Sequence, residues 1–297
     1  MSAIRALVIS DTHNTWPYTL QDFKAAVDVF IHCGDVTQYG GLPNIRRVIE
    51  NIKTVNAELK LVIAGNHDVD LDPVWLAKFA EDDDDIQVGA ECLALLESQQ
   101  AHGLHYLDEG MHAFTLTDGR SFTVYASPYT PAFGEFAFLY GTEEDRFNDG
   151  TYKLPEEVDL VITHGPPAFS GLAGYKLDVN KQGEHCGCEK LANALARARP
   201  RLCCFGHIHE GRGAAKIDWA SWTLANGICE GRDKLASTRK DTETLLVNAA
   251  VSGDGEGWLS LRRTTRPTKT DKVIHRRAAY VSNKKRFGSI QRRKTCQ

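Results

Sequence analysis

The chain has 297 residues, 42% hydrophobic and 25% charged, with a formal net charge of −4, which excludes a fibrous or disordered polypeptide and allows one large globular domain or two modest ones. The charge is uneven: residues 262–297 hold 13 Lys/Arg and one Asp, leaving 22 basic against 38 acidic groups in residues 1–261. So acidic a body argues against nucleic-acid binding, which needs a basic face.

In chain order, short apolar, β-branched runs at 4–10, 27–33, 59–64, 158–163 and 201–205 read as buried strands. The first run is interrupted by Arg5 and is too short for a signal peptide or a membrane span, so a soluble intracellular protein is expected. Helices are predicted at 19–26 and at 42–58, where Ile45, Val48, Ile49 and Ile52 recur at helical spacing. Residues 73–80 predict a short helix, 81–85 an acidic loop and 89–100 another helix. The runs at 111–116 and 121–125 flank Asp118-Gly119, a hairpin turn. A helix at 191–199 is stopped by Pro200, and 244–251 is a late strand. Strands alternating with helices, plus a hairpin, predict an α/β fold: two mixed β-sheets packed face to face with helices outside.

The eight cysteines (33, 92, 186, 188, 203, 204, 229 and 296) are read as reduced. Cys186 and Cys188 stand beside His185 but lack the two-residue gap of a zinc knuckle. Gly187-Cys188, just before a predicted helix, offers N-terminal amides to a substrate. Trp16, Tyr39, Tyr129, Phe133, Phe136 and Phe138 stand near the polar motifs and offer a platform for a nucleobase, or else core. The tail beyond residue 261 is expected to be a solvated, disordered extension, with a nuclear address as the alternative to a purely cytoplasmic location.

Each of the five strands ends in a polar cluster: Asp11-Thr12-His13, Gly34-Asp35, Gly65-Asn66-His67-Asp68, Thr163-His164-Gly165 and Gly206-His207-Ile208-His209. Ligands bind beyond the carboxyl ends of strands in open α/β sheets, so the five ends are expected to converge. Burying two Asp and four His together without a cation would leave repelling or unsatisfied groups. Imidazole, carboxylate and amide ligands without thiolate suit Mn, Fe, Zn, Ni or Co. Asp11, His13, Asp35, Asn66, His164, His207 and His209 are too many for one tetrahedral site, and a carboxylate can bridge, which predicts two divalent metal ions roughly 3.5–4 Å apart. Such ions generate hydroxide at neutral pH for in-line attack on phosphorus.

These five blocks, in this order, resemble the calcineurin-like metallophosphoesterase superfamily, and within it the MPPED-type metallophosphoesterase-domain proteins and, more distantly, the class III cyclic-nucleotide phosphodiesterases. Further stretches in common are Gly40-Gly41-Leu42-Pro43, 126–131, His164-Gly165-Pro166-Pro167 and 206–211. The resemblance covers about residues 4–251, with an insertion at about 212–243, and implies a four-layer α-β-β-α sandwich over residues 1–261. It implies one metal on Asp11, His13, Asp35 and His209 and a second on Asp35, Asn66, His164 and His207. His67 resembles the family's phosphate-contacting histidine, placed to stabilise charge or protonate the leaving oxygen. The protein phosphatases of the superfamily carry Asp-Arg-Gly where this chain has Val36-Thr37-Gln38-Tyr39-Gly40, which argues against a phosphoprotein substrate. The implied activity is hydrolysis of a small phosphodiester of the cyclic-nucleotide class; a phosphomonoesterase and a weakly active scaffold are the alternatives. A small phosphoester is thus the expected partner, with no membrane, no nucleic acid and a homodimeric state left open.

Overall fold

Alternation within the apolar runs decides which face each side chain takes, and that choice builds the layers. The computed structural model describes residues 4–16, 26–226, 238–239 and 241–251. Its elements begin with β1 (Ala6–Ile9), β2 (Val27–Cys33), α1 (Leu42–Lys53), β3 (Ala57–Ile63), α2 (Pro73–Phe79), α3 (Asp83–Glu97) and β4 (Leu104–Tyr106). There follow β5 (Gly110–Thr115), β6 (Ser121–Ser127), β7 (Thr130–Pro131), β8 (Leu139–Tyr140), β9 (Leu160–Thr163) and α4 (Glu189–Ala198). The last are β10 (Leu202–Phe205), β11 (Gly213–Asp218), β12 (Thr223–Asn226) and β13 (Glu243–Asn248).

One sheet is parallel, in the order β1-β2-β3-β4; a second, mixed sheet runs β12-β11-β13-β10-β9-β6-β5. Val29, Ile31 and Cys33 of β2 meet Val124, Leu160, Ile162 and Cys204 of the second sheet in one apolar cluster, the core between the sheets. The alternate residue Phe30 faces the opposite way, packing with Ile45, Val48, Ile49 and Ile52 of α1 and Cys92 and Leu96 of α3. On the second sheet Val161, Cys203 and Phe205 likewise pack on Leu191 and Leu195 of α4. The result is the predicted mixed α/β sandwich of two sheets flanked by helices.

The differences from expectation have local causes. The helix predicted to run to residue 58 stops at Lys53, and Ala57 and Glu58 already belong to β3; pairing Val27 with Ala57 holds more of the chain in the sheet than periodicity suggested. The acidic stretch 81–85 is not a loop throughout. The Asp82 carboxylate accepts from the amides of Asp84 and Asp85, and Asp83–Asp85 form an acidic first turn that suits the positive end of the α3 dipole. The apparent insertion after residue 212 supplies β11 and β12, which pair antiparallel and extend the second sheet from β13. The helix predicted at 19–26 and the tail beyond residue 261 lie outside the described residues, apart from Ala26. No helix among the described residues is long and apolar enough to cross a membrane.

Candidate metal centre

The sheets meet at the carboxyl ends of β1, β2, β3, β9 and β10. Ser10 bridges to Ala250, donating its amide to Ala249 O (3.0 Å) and accepting from Val251 N (2.9 Å). The loop after β1 runs along the loop after β2 through Asp11 N to Gly34 O (3.0 Å), His13 N to Asp35 O (3.1 Å) and Asn14 N to Val36 O (3.2 Å). Asp11, His13, Asp35 and His207 all take left-handed backbone, with φ of 57°, 44°, 53° and 66°. A non-glycine residue in that region costs on the order of 1–3 kcal/mol and persists only when its surroundings dictate it. Here, four such residues turn their side chains into one space. Gly206 permits the closest approach, since a Cβ there would strike Asp11 Oδ2 and Ser10 Oγ.

All seven predicted ligands lie at this junction. Asp11 Oδ1, His13 Nε2 and His209 Nε2 converge, with His13 Nε2 3.4 Å from His209 Nε2 and His209 Nε2 3.2 Å from Asp11 Oδ1. Asp35 faces two ways: Oδ2 lies 3.6 Å from His13 Nε2, and Oδ1 lies 3.4 Å from His164 Nε2. His164 Nε2 is also 2.9 Å from Asn66 Oδ1. His207 stacks edge-on against His164, ring centroids 5.0 Å apart, and its amide donates to both Asp11 oxygens at 3.1 and 3.0 Å. His67 completes a third convergent group with His13 and Asp35, and its amide donates to Asp35 Oδ1 at 2.9 Å.

The charges of this group are tightly interdependent. Asp11 and Asp35 are buried, which alone would raise their carboxyls. The hydrogen bond with His209 and the charges of His164, His209 and His13 instead hold Asp11 well below the usual range, and His164 does the same for Asp35. His164 carries the complementary shift. Burial lowers it, but the Asp35 and Asp11 charges push it up to about 9. Its Nδ1 hydrogen-bonds the Cys33 carbonyl (2.9 Å), which assigns that nitrogen the proton and aims Nε2 at two oxygen acceptors. His207 goes the other way, held down to about 4 by burial and by His164. Burial likewise lowers His13, whose Nδ1 has no hydrogen-bond partner among the described residues, while Asp11 raises His209 against its own burial. Oxygens and imidazole nitrogens crowded around a shared centre fit a borderline divalent metal.

Two further residues, outside the predicted site, support it. Asp68, fully buried, accepts from Gly65 N (2.8 Å), Val36 N (3.1 Å), Thr37 N (2.8 Å) and Thr37 Oγ1 (2.8 Å). It ties together the loops that carry Asp35 and Asn66, and burial with the Asp35 charge pushes its carboxyl up to about 7. Behind the first loop, buried His32 Nε2 meets Thr12 Oγ1 at 3.0 Å. Sequence carried only adjacency as a signal for Asp68, and none for His32, which sits inside β2. Other expectations resolve differently. Cys188 Sγ caps α4 through Leu191 N and accepts from Tyr140 OH, while His185 pairs with Asp178 at 2.7 Å, so that segment is not a zinc knuckle. The Gly187 and Cys188 amides bond Asp178 Oδ2 and Pro166 O and are not free for a substrate. Of the aromatic residues, Phe138 is buried against Tyr129, Tyr129 lies under Arg146 and Trp16 packs on Phe30; Tyr39, Phe133 and Phe136 instead adjoin His67 and His207.

Comparison with known proteins agrees with this geometry. The chain is 34% identical over 270 residues to the probable rhamnogalacturonate lyase C of Emericella nidulans, covering 84% of this chain and 23% of that protein. It is 30% identical over 215 residues to metallophosphoesterase domain-containing protein 1 of Homo sapiens, covering 70% of this chain and 61% of that one, and the Mus musculus protein matches equally. The chain thus spans under a quarter of the first relative's length and about three fifths of the second's. The calcineurin-like phosphoesterase profile matches residues 4–211, which contain all five strand-end motifs and both sides of the junction. A match of that extent, on the residues that converge, makes the chain a member of the calcineurin-like phosphoesterase family.

Proposed function

We propose that the protein hydrolyses a small phosphodiester of the cyclic-nucleotide class at a centre of two divalent ions. One ion would be held by Asp11, His13, Asp35 and His209, the other by Asp35, Asn66, His164 and His207. The observation that carries this reading is the two-sided Asp35 carboxylate, with one oxygen toward His13 and the other toward His164. The family, and relatives named for a metallophosphoesterase domain, support phosphoester hydrolysis. Bound divalent ions supply Lewis acidity that activates water and neutralises phosphoryl charge.

The chain's own residues then position and protonate. His67 Nδ1 donates to Gln38 O at 2.8 Å, which leaves Nε2 as the nitrogen to meet the phosphoryl group; as an imidazolium with a proton on each nitrogen, the ring would hand its Nε2 proton to the leaving oxygen and return to the neutral Nδ1–H form. A positioned acid of this kind contributes roughly 10²–10⁴-fold. Asn66 turns Oδ1 toward His164, which leaves its NH₂ to donate to a phosphoryl oxygen. Asp35 also receives the His67 amide, so the residue between the two ligand sets helps fix the acid beside it.

The test is a substrate panel. Protein stripped of metal and reloaded with Mn, Fe, Zn or Co is assayed on cyclic nucleotides, linear diesters and monoesters, with Asp35→Asn as the control. Metal-dependent turnover is expected to be fastest on cyclic diesters. Preference for monoesters would replace the substrate assignment, and no turnover by metal-loaded protein on any phosphoester would overturn the function.

A further inference from the structure

The strands β7 and β8 pair in parallel and close a loop, residues 132–138, over the proposed centre. The loop is anchored at several points. Ala132 N donates to Tyr140 O (2.8 Å), Trp75 Nε1 to Glu135 O (3.0 Å), Ala137 N to Asn66 O (3.1 Å) and Phe138 N to Asp72 Oδ2 (2.7 Å). Gly134 adopts φ 57°, and a Cβ there would press on the Phe136 ring at 3.3 Å. That turn brings Phe133 and Phe136 together, ring centroids 5.1 Å apart at 34°. Phe136 lies 4.8 Å from His67, and Phe133 lies 5.1 Å from His207.

Ring contacts therefore run without a break from His209 through His13, His67, Phe136, Phe133 and His207 to His164. The five imidazoles serve the centre, but the two phenyl rings have no polar atom to offer an ion or a phosphate. Phe133 is 41% exposed, and Tyr39, also against His67 with centroids 5.4 Å apart, is 66% exposed. A rigidly anchored loop that holds apolar rings in water beside a phosphoryl-binding histidine leaves area for a ligand's flat face to cover.

We propose that Phe133 and Phe136, with Tyr39, form a stacking subsite for a nucleobase carried by the phosphoester, and so set the substrate's class by its ring and not only by its phosphate. The inference rests on the reading of His67 and Asn66 as the phosphate-facing pair. Stacking on an aromatic side chain tolerates any base, because every base presents a π-face; the subsite would select for the presence of a base over its identity.

Equilibrium binding to the metal-loaded full chain tests this, with adenosine 5′-monophosphate compared with ribose 5-phosphate, which keeps the phosphate and sugar and lacks the base. The nucleotide is expected to bind at least about tenfold more tightly, the range of one stacked base. Phe133→Ala and Phe136→Ala should each bring the two affinities to within about threefold. Phe136→Leu keeps apolar packing on His67 and removes the π-face; it should lose the selectivity too, with its thermal melting unchanged. Equal affinity for the two ligands in the parent protein would overturn the subsite, as would full selectivity in Phe136→Leu. Base-selective binding without turnover of any phosphoester would support the subsite while sinking the hydrolytic reading. Turnover without base selectivity would do the reverse.

Discussion

The two sheets contribute to the candidate centre in different ways. The four-stranded parallel sheet provides both carboxylates, the amide and His13, on loops laced together by backbone hydrogen bonds and by the Asp68 carboxylate. The seven-stranded sheet provides three imidazoles, His164, His207 and His209, whose ties to the other side run through Asp11, Asp35, Asn66 and the Cys33 carbonyl. One side is a braced source of negative charge; the other is a set of nitrogens that lean on it. Neither half is complete alone, so a cation at the junction would also join the sheets.

The comparison can be broken most severely at Asp35, the residue that faces both ligand sets. Asp35→Asn should lower turnover by more than about 100-fold, beyond what loss of a merely supporting residue causes, and should empty both metal positions in elemental analysis. Full metal content in that variant would refute a shared carboxylate. Next in size, His67→Ala should reduce kcat by roughly 10²–10⁴-fold while metal content stays at the parent level. If metal is lost as well, His67 belongs to the ligands and not to the acid role.

Asp68 tests whether bracing distinguishes the first sheet. Asp68→Ala removes the acceptor for three buried amides and a hydroxyl, each costing about 1–3 kcal/mol if left unpaired. Metal affinity should fall about 10–100-fold, measured by competition with a chelator, alongside a lower melting temperature. Unchanged values would mean that the loops hold themselves. The smallest effect probes the second sheet through pH. With His164 pushed up to about 9 in the metal-free protein, a metal must displace its proton at any lower pH. Affinity should therefore drop about tenfold for each unit of pH below 9 from this group alone, and binding at pH 7.5 should release a proton to the buffer. His207, held at about 4, adds no such dependence above that pH. Calorimetry in buffers of different ionisation enthalpy measures the release, and His164→Gln should abolish that share of it.

Much of this was legible residue by residue. Five β-branched runs ending in Asp, Asn or His located the strands and the polar residues that converge, because a strand's length and the residues at its end are local matters. The spacing of Ile45, Val48, Ile49 and Ile52 located α1 but not its end, since the pairing of Ala57 with Val27 is a long-range event. Asp82 as a helix cap was hidden in a run of five acidic residues, 81–85, that reads equally as a loop. The six aromatic residues near the motifs looked alike in sequence and separated only when the loop between β7 and β8 turned Phe133 outward, left Phe136 half-buried between it and His67, and buried Phe138.

The sequence by itself determined the residue types of the candidate centre, the layer order and the family, because side-chain type, alternation and strand-end position are written locally. Tertiary structure alone decided that Asp35 faces two imidazole sets, that Asp68 braces two loops and that two phenyl rings border the histidines. Those facts depend on strands 23 or more residues apart meeting at a fixed register, a balance of packing and hydrogen bonding that no short window of residues contains.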